Sequence, residues 1–283
     1  MSAAPFVKWA GGKRQLLPVI LPRLPPTIRT YFEAFAGGAA VFFALVNAGR
    51  IQNAVLGDAN PELVNMYQAV RADCAAVIVE LRKHAKAHSQ SHFYAQRKLL
   101  LGSTGVSGAA RFIYLNRTCF NGLFRVNKAG EFNVSYGKYE TPRIVDVDGL
   151  QRASVALQRA TIVCGDFALT VAQAGRGDAA YFDPPYLPVS KVASFSAFHK
   201  AGFSVEAQER LAQVMQQCAA RGARVLLSNS DTIESRRIYG VPGNTVEVVG
   251  ARRNINSIAA KRGVVGEILV SIPVLTQKKS KAA

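Results

Sequence analysis

"TYFEAFAGGAAVFFALVNAGRIQNAVLGDAN", residues 30–60, is the stretch that decides the fold. Its first part, "TYFEAFAGG", is typical of a short buried strand that runs into a glycine turn. "AAVFFALVNAGR" predicts a buried helix that ends at Gly49, and "NAVLGDAN" predicts a second strand that ends at Asp58. Pro61 suits the first turn of the helix that follows. This strand–helix–strand order predicts a parallel sheet.

The pattern changes between residues 61 and 160, where mainly helical stretches replace the strands. Among them lies "FNGLFRVNKAGEFNVSYGKY", residues 120–139, whose Asn-Gly pair and alternating aromatic residues predict a β-hairpin. Strand patterns then return in "ATIVCGD", "DAAYFD", "ARVLLSNS", "NTVEVV" and "VVGEILVSI". We therefore expect an α/β fold whose core consists of residues 1–60 and 161–283, interrupted by a mainly helical insertion, residues 61–160.

The charge of the chain favours a polyanionic partner. Its 283 residues include 35 Lys and Arg against 18 Asp and Glu, which gives a net charge of +17. Nucleic acid is the simplest partner for such an excess. The four cysteines form no Cys-x-x-Cys pair, so we expect reduced, mostly buried thiols. The longest apolar run, Ala39–Val46, is too short for a membrane span, and no signal peptide opens the chain, so we expect a cytoplasmic protein.

Three acidic residues stand where predicted strands end: Asp58, Asp166 and Asp183. Ligands of open parallel sheets bind beyond the carboxyl ends of the strands. The glycine turn at Gly37 precedes Asp58 by 58 − 37 = 21 residues. A glycine turn that permits close backbone approach, followed by an acid that accepts from ribose hydroxyls, indicates a nucleoside site. The alternative for the glycines is a tight turn alone.

"AAYFDPPYLP", residues 179–188, carries the most specific chemical signal. An exocyclic amine on a base is a poor nucleophile because its lone pair is delocalised into the ring. Two acceptors on its hydrogens favour tetrahedral geometry at nitrogen, and Asp183 with the main-chain carbonyl of Pro184 would supply them. Tyr186 offers a face on which the base can stack. The alternative is a structural Asp-Pro turn after a strand.

Two other groups of residues have ligand-binding character. Trp9 lies beside glycines and between Lys8 and Lys13, which suits a loop that packs on a flat, charged ligand; a hydrophobic N-terminal anchor is the alternative. Histidines recur at four-residue spacing at positions 84, 88 and 92. Since no carboxylate accompanies the histidines, we interpret them as a solvated helix end and expect no metal.

Seven motifs occur in the order seen in the DNA adenine methyltransferase (Dam) family of adenine-specific N6-methyltransferases, which the chain resembles over nearly its whole length. They are "KWAGGK", "YFEAFAGGAAVFF", "GDAN", "FNGLFRVNKAGEFNVSYGKY", "CGDF", "DPPY" and "RRNINSIAAKRGVVGEILV". The resemblance implies a Rossmann-like methyltransferase sheet that binds S-adenosylmethionine, with a target-recognition insertion. It also implies a flipped adenine in double-stranded DNA as the substrate.

The resemblance assigns roles residue by residue. It implies catalytic roles for Asp183, Pro184 and Tyr186. The cofactor-binding residues that it implies are Trp9, Lys13, Phe35, Gly37, Asp58, Asp166, Phe167 and Asp183. Contacts to DNA fall to Lys8, Phe120, Asn121, Leu123, Arg125, Ser135 and Lys138. The family pattern suggests GATC as the site, with Lys8 and Arg125 on its guanines and Phe120 as a wedge in the base stack.

The chain departs from the family pattern at three positions. Ala39 replaces a frequent glycine, Ser135 a frequent proline and Lys138 a frequent arginine. The last two bear on the DNA sequence that is recognised. Competing interpretations are a cytosine-N4 methyltransferase, an enzyme acting on RNA or on protein glutamine, and a DNA-binding module without catalysis. The intact Asp183, Lys13 and Asp58 argue against the last.

Overall fold

A computed structural model describes residues 2–99, 102, 104–187, 203–252 and 264–273. Pro188 of the stretch 179–188, and residues 253–263 of the last family motif, lie outside the described residues.

Seven strands form one sheet in the order β3-β2-β1-β4-β5-β7-β6. Strand β4 pairs in parallel with β1 and with β5, whereas β7 runs antiparallel to both β5 and β6. This confirms the predicted α/β fold with a Rossmann-like sheet. The bounds are β1 Ile28–Glu33, β2 Ile51–Asp58, β3 Ala160–Cys164, β4 Ala179–Phe182, β5 Arg224–Ser230, β6 Thr245–Arg252 and β7 Val264–Ile272.

Ten α-helices and three short 3₁₀ helices are present among the described residues. The α-helices are α1 Leu17–Ile20, α2 Ala40–Asn47, α3 Pro61–Ala72, α4 Cys74–Lys86, α5 Gln90–Lys98, α6 Gly105–Thr118, α7 Val147–Leu157, α8 Phe167–Thr170, α9 Val205–Ala220 and α10 Ile233–Tyr239. The 3₁₀ helices are Lys13–Leu16, Leu21–Arg23 and Phe120–Gly122.

Contacts divide the chain into two compact units. The first comprises Met1–Leu17, Ala36–Gly49 and Leu56–Asp166, and the second comprises Pro18–Phe35, Arg50–Val55 and Phe167–Ala283. The boundaries predicted for a separate insertion, residues 61–160, stay a prediction. None of the helices within the described residues combines the length and the apolar character of a membrane span.

Helices α3 and α4 of the first unit begin where local side chains accept from their free amides. Asn60 accepts from the backbone amides of Glu62 and Leu63, and Pro61 occupies the first turn of α3 as predicted. The helical stretch that continues beyond α3 is broken at Asp73, because the Asp73 carboxylate caps α4 by accepting from the amide of Ala76 at 2.9 Å. Helices α3 and α4 both pack against α6.

The second unit is built around β4, whose four residues Ala179–Phe182 are all fully buried. Strands that are covered on both faces show such continuous apolar runs rather than alternation. Leu211, Met215 and Cys218 of α9 pack in the same core as Leu227 of β5. Asp183 is the first residue after β4 that is not fully enclosed.

The expectation of a solvated histidine helix end is wrong. His84 lies on α4, His92 on α5 and His88 between them, and all three are half-buried. The Nδ1 of His84 lies 3.0 Å from the Nε2 of His92, and the His84 ring stacks on Tyr114 of α6 with centroids 4.9 Å apart. His88 contacts the hydroxyl of Tyr114 at 3.0 Å. The spacing has a packing role, because these rings join three helices.

Burial, followed by the charge of His92, lowers the pKa of His84 from 6.5 to about 4; Glu80 opposes this shift and Arg111 adds to it. As the pH falls, the unfolded chain therefore binds this proton before the folded chain does. The stability linked to His84 is therefore fully present above pH 6.5 and is lost progressively between about pH 6.5 and 4. We expect His84→Asn to lose less stability than the wild type between pH 7.5 and 4.5. Urea midpoints at the two pH values measure this, and equal losses would contradict it.

Candidate active site

The glycine turn after β1 is held by the carboxylate of Asp58. Asp58 Oδ2 accepts from the amide of Gly37 at 3.0 Å, and Oδ1 accepts from the amide of Asn60 at 2.9 Å. The hydroxyl of Tyr67 donates to the carbonyl of Gly37 at 2.7 Å. Burial raises the pKa of Asp58, and the backbone hydrogen bonds oppose that shift. A carboxylate has about four lone-pair sites, so Asp58 retains capacity for further donors such as hydroxyls.

Trp9 packs directly on this turn. A Cβ added to Gly37 would lie 2.6 Å from Trp9 Cδ1, and Gly37 has a left-handed φ of 47°. Only glycine therefore fits at this position without displacement. The indole of Trp9 also stacks on Phe124, with ring centroids 5.8 Å apart. Ala39, which replaces a glycine frequent in the family pattern, has a left-handed φ of 53°.

Asp166 and Lys13 lie in the same unit. The amide of Gly165 donates to the carbonyl of Asp58 at 3.0 Å, which places Asp166 next to the end of β2. Asp166 is half-buried. Lys13 is only 6% exposed, and its amine donates to the carbonyl of Gly11 at 2.5 Å. The strand-end acids Asp58 and Asp166 are thus neighbours, as the sheet order requires.

The predicted β-hairpin is present. Val126 pairs with Phe132, and Cys119 pairs with Tyr136, both antiparallel. Arg125 is exposed, and its guanidinium donates to the side chain and the carbonyl of Asn133 at 2.7 and 3.2 Å. These two bonds use two of its five donors.

A second set of predicted contact residues gathers at the base of the hairpin. The amine of Lys8 lies 4.8 Å from the centre of the Tyr139 ring, and the amide of Asn121 donates to the Tyr139 hydroxyl at 3.0 Å. Phe120 is 53% exposed, and its amide donates to the carbonyl of Ser135 at 2.8 Å. Exposed cationic, aromatic and amide side chains of this kind can bind phosphates and stack on bases. Leu123 is half-buried, whereas Lys138 is exposed.

Asp183 is anchored in the second unit by a side chain that the sequence did not indicate. Ser228 of β5 donates to Asp183 Oδ1 at 2.9 Å. Its oxygen also lies 2.7 Å from the hydroxyl of Tyr181. Because Ser228 has one proton and gives it to Asp183, Tyr181 is the donor to Ser228. Strands β4 and β5 pair Phe182 with Leu227, which brings the residues that follow them together.

The rest of the Asp-Pro-Pro-Tyr segment is also fixed by the second unit. The Tyr186 hydroxyl donates to Glu267 of β7 at 2.7 Å, and the Pro185 carbonyl accepts from Gln208 of α9 at 2.8 Å. Burial, followed by the charge of Asp183, holds the pKa of Tyr186 well above its usual range. Pro184 is buried. Tyr186 thus keeps its proton, and its ring orientation is set by Glu267.

Phe35 and Phe167, predicted to line the cofactor pocket, stack on each other with centroids 5.6 Å apart. Phe203 packs edge-on against both rings, and the guanidinium of Arg210 lies 4.6 Å from the centre of Phe167. Sequence reasoning did not identify four of these contact residues, because nothing local in a single sequence indicates partners so far apart along the chain. They are Ser228, Glu267, Gln208 and Arg210.

Within the described part of the chain, no three His, Cys, Asp or Glu side chains are grouped so as to hold a metal ion. The four cysteines are free thiols; Cys119 and Cys218 are buried, Cys74 is half-buried and Cys164 is exposed.

The family model for D12 class N6 adenine-specific DNA methyltransferases matches residues 9–255. The chain belongs to this family. Among its D12 relatives, the type II methyltransferase M1.LlaDCHI of Lactococcus lactis subsp. cremoris is 37% identical over 94% of both chains. The type II methyltransferase M.MjaIII of Methanocaldococcus jannaschii is also 37% identical, over 93% of this chain and 96% of its own. A DNA adenine methylase of Vibrio cholerae is 35% identical over 93% of this chain and 94% of its own.

The match confirms the Dam-family resemblance and the enzyme class. It selects adenine-N6 over cytosine-N4 methylation, because the D12 class is adenine-specific. The roles assigned to individual residues of this D12 methyltransferase stay predictions.

The close contact between Gly37 and Trp9 gives a stability test with a matched control. Gly37 and Gly49 both have left-handed φ values, 47° and 64°, but a Cβ on Gly49 would meet nothing within 4 Å. Gly49→Ala should therefore cost about 1 kcal/mol from the backbone alone. Gly37→Ala should cost roughly 1–3 kcal/mol more because Trp9 must move. Chemical denaturation measures both, and equal losses would contradict the packing role of Trp9.

Proposed function

We propose that this D12 methyltransferase transfers the methyl group of S-adenosylmethionine to the N6 amine of an adenine flipped out of duplex DNA, without a metal ion. The observation that carries the proposal is the anchored carboxylate of Asp183 at the end of the buried strand β4. A DNA substrate supports a cytoplasmic location for the enzyme. The net charge of +17 supports binding to the phosphate backbone.

The residues of the glycine turn fit the cofactor. The turn at Gly37 permits close backbone approach, and the carboxylate of Asp58, which accepts from the amides of Gly37 and Asn60, is a suitable acceptor for ribose hydroxyls. Asp166, Trp9 and Lys13 complete this set. Once bound, the cofactor supplies an electrophilic methyl group on a sulfonium sulfur.

Asp183 and Pro184 would activate the adenine amine. The hydrogen bond from Ser228 to Asp183 Oδ1 would fix the carboxylate that faces the amine. The carboxylate accepts one N–H, and the carbonyl of Pro184 accepts the second. These two acceptors would hold the nitrogen lone pair toward the methyl group that bound S-adenosylmethionine would supply, with the thioether as the leaving group and the surplus proton of the amine released to solvent. Positioning and fixed dipoles supply the rate gain, and no covalent enzyme intermediate forms.

Tyr186 would stack on the flipped adenine. Its hydroxyl is already bound to Glu267, so the ring is held in one orientation before the base arrives. Because the hydroxyl is already bound, Tyr186 would contact the adenine through the face of its ring rather than through a hydrogen bond from the hydroxyl.

Residues of the hairpin and of the Lys8 segment in the first unit would read the DNA. Lys8 and Arg125 would contact guanines of a GATC site, and Phe120 would enter the gap left by the adenine. Asn121, Leu123, Ser135 and Lys138 would contact neighbouring bases or phosphates. The exposure of Phe120 and the donors left on Arg125 support these roles.

The decisive test combines the protein with labelled S-adenosylmethionine and duplex DNA and identifies the methylated nucleoside. We expect N6-methyladenine. Asp183→Ala should abolish transfer with the fold intact, and Asp183→Asn should retain part of it, because an amide oxygen still accepts a hydrogen bond. Circular dichroism checks the fold. Near wild-type turnover in Asp183→Ala would refute the mechanism.

Arg125 allows a test of base recognition. Arg125→Ala should relax specificity at one base pair and cost roughly 1–3 kcal/mol on the best site, with smaller losses on near-sites. Methylation profiling on DNA of mixed sequence measures this. The exposed Lys128 at the hairpin tip is the control, since loss of a phosphate contact lowers activity evenly across sequences. If Arg125→Ala lost the same share of activity on every sequence, base recognition by Arg125 would be contradicted. If the wild-type profile were not centred on GATC, GATC would be ruled out as the recognition site.

A further inference from the structure

Asn116 is a buried polar side chain that joins two segments of the first unit. It lies on α6 and is 3% exposed. Its Oδ1 accepts from the amide of Lys8 at 2.9 Å, and its Nδ2 donates to the carbonyl of Lys8 at 2.8 Å. The second hydrogen of Nδ2 is given to the carbonyl of Gly122 at 3.1 Å. The amide thus uses both of its donors.

These bonds fix the backbone of Lys8 against the turn that contains Phe120 and Asn121. The two segments are in direct contact, since a Cβ added to Gly122 would lie 2.4 Å from the Cβ of Lys8. Asn121 and Gly122 both have left-handed φ values, 55° and 64°, so the turn has a defined shape. The Lys8 and Phe120 side chains leave these fixed backbones and are exposed.

We propose that Asn116 is a specificity-positioning residue. It holds Lys8 and the Phe120–Gly122 turn at one spacing, so that side chains of both segments meet the same stretch of DNA. The inference rests on the proposed function, because it requires these segments to contact DNA. A shift of about 1 Å in such a pair is enough to lose a directional hydrogen bond to a base edge. Loss of the clamp should therefore reduce discrimination among DNA sequences more than it reduces overall methylation.

Asn47 provides a control on the same N-terminal segment. Its Oδ1 accepts from the amide of Ala3 at 2.9 Å, and its Nδ2 donates to the carbonyl of Ala3 at 2.8 Å. This is the same pairing, five residues before Lys8 (8 − 3 = 5). Asn47 is exposed and has no bond to the Phe120–Gly122 turn among the described contacts. Asn47→Ala thus loosens the segment without breaking the link between the two DNA-facing parts.

Gly122→Ala provides a second route to the same perturbation. It leaves Asn116 intact but adds a methyl group 2.4 Å from Lys8 Cβ, which forces the two segments apart. Gly130→Ala, on the hairpin, is its control, because Gly130 also has a left-handed φ, 81°, and a Cβ there would meet nothing within 4 Å. If Asn116→Ala does not fold, this pair of variants decides the question.

The experiment first profiles wild-type methylation on DNA of mixed sequence and thereby defines the preferred site. It then measures kcat and KM on a duplex with that site and on duplexes with single base changes, together with cofactor affinity by calorimetry. Asn116→Ala and Gly122→Ala should lower the ratio of kcat/KM between preferred and changed duplexes by at least about tenfold, the size of one lost base contact. Cofactor affinity should stay within about twofold of the wild type.

Asn47→Ala and Gly130→Ala should keep the wild-type ratio. A uniform loss on all duplexes in the Asn116 and Gly122 variants, or an equal loss of discrimination in the controls, would overturn the positioning role. Wild-type protein that methylates no adenine in any duplex would instead show that the proposed function itself is wrong.

Discussion

The complete burial of β4 is the constraint on which the catalytic segment depends. All four residues of this strand are enclosed, and the strand pairs in parallel with neighbours on both sides. A charged side chain within such a strand would have a large desolvation cost, so the carboxylate appears only where the strand ends. Asp183 occupies that position. The carboxylate is stabilised at this position because Ser228, itself fully buried, donates a hydrogen bond to it.

In the first unit, hydrogen bonds from side chains to the backbone fix the loops that carry predicted ligand-contacting residues. Asp58 holds the glycine turn, Asn116 holds Lys8, and Asn47 holds Ala3. The stretches that they fix are loops, whose amides and carbonyls have no strand or helix partners of their own. A small carboxylate or carboxamide can satisfy two such groups at once. Loops held in this way can present side chains to a ligand while their own backbones stay ordered.

Sequence reasoning succeeded where the signal is local. The glycine at position 49 ends α2, Pro61 opens α3, and the hairpin around Asn127 follows its turn residues. It failed at the histidines, whose partner Tyr114 lies on another helix. Ser228 and Glu267 could not be found either, because they meet Asp183 and Tyr186 only after β5 and β7 have joined the sheet.

Two departures from the family pattern, Ser135 and Lys138, change the side chains that the hairpin exposes. Ser135 uses its carbonyl to accept from Phe120, and a proline at that position would keep the same acceptor. What differs is the exposed hydroxyl and the added amide hydrogen. Lys138, exposed and left-handed with φ 53°, replaces a planar guanidinium by a point charge, which cannot make a bidentate contact to guanine. Under the proposed function, these two exposed positions change what the hairpin can donate to DNA, on a hairpin where either residue at position 135 would keep the carbonyl that accepts from Phe120.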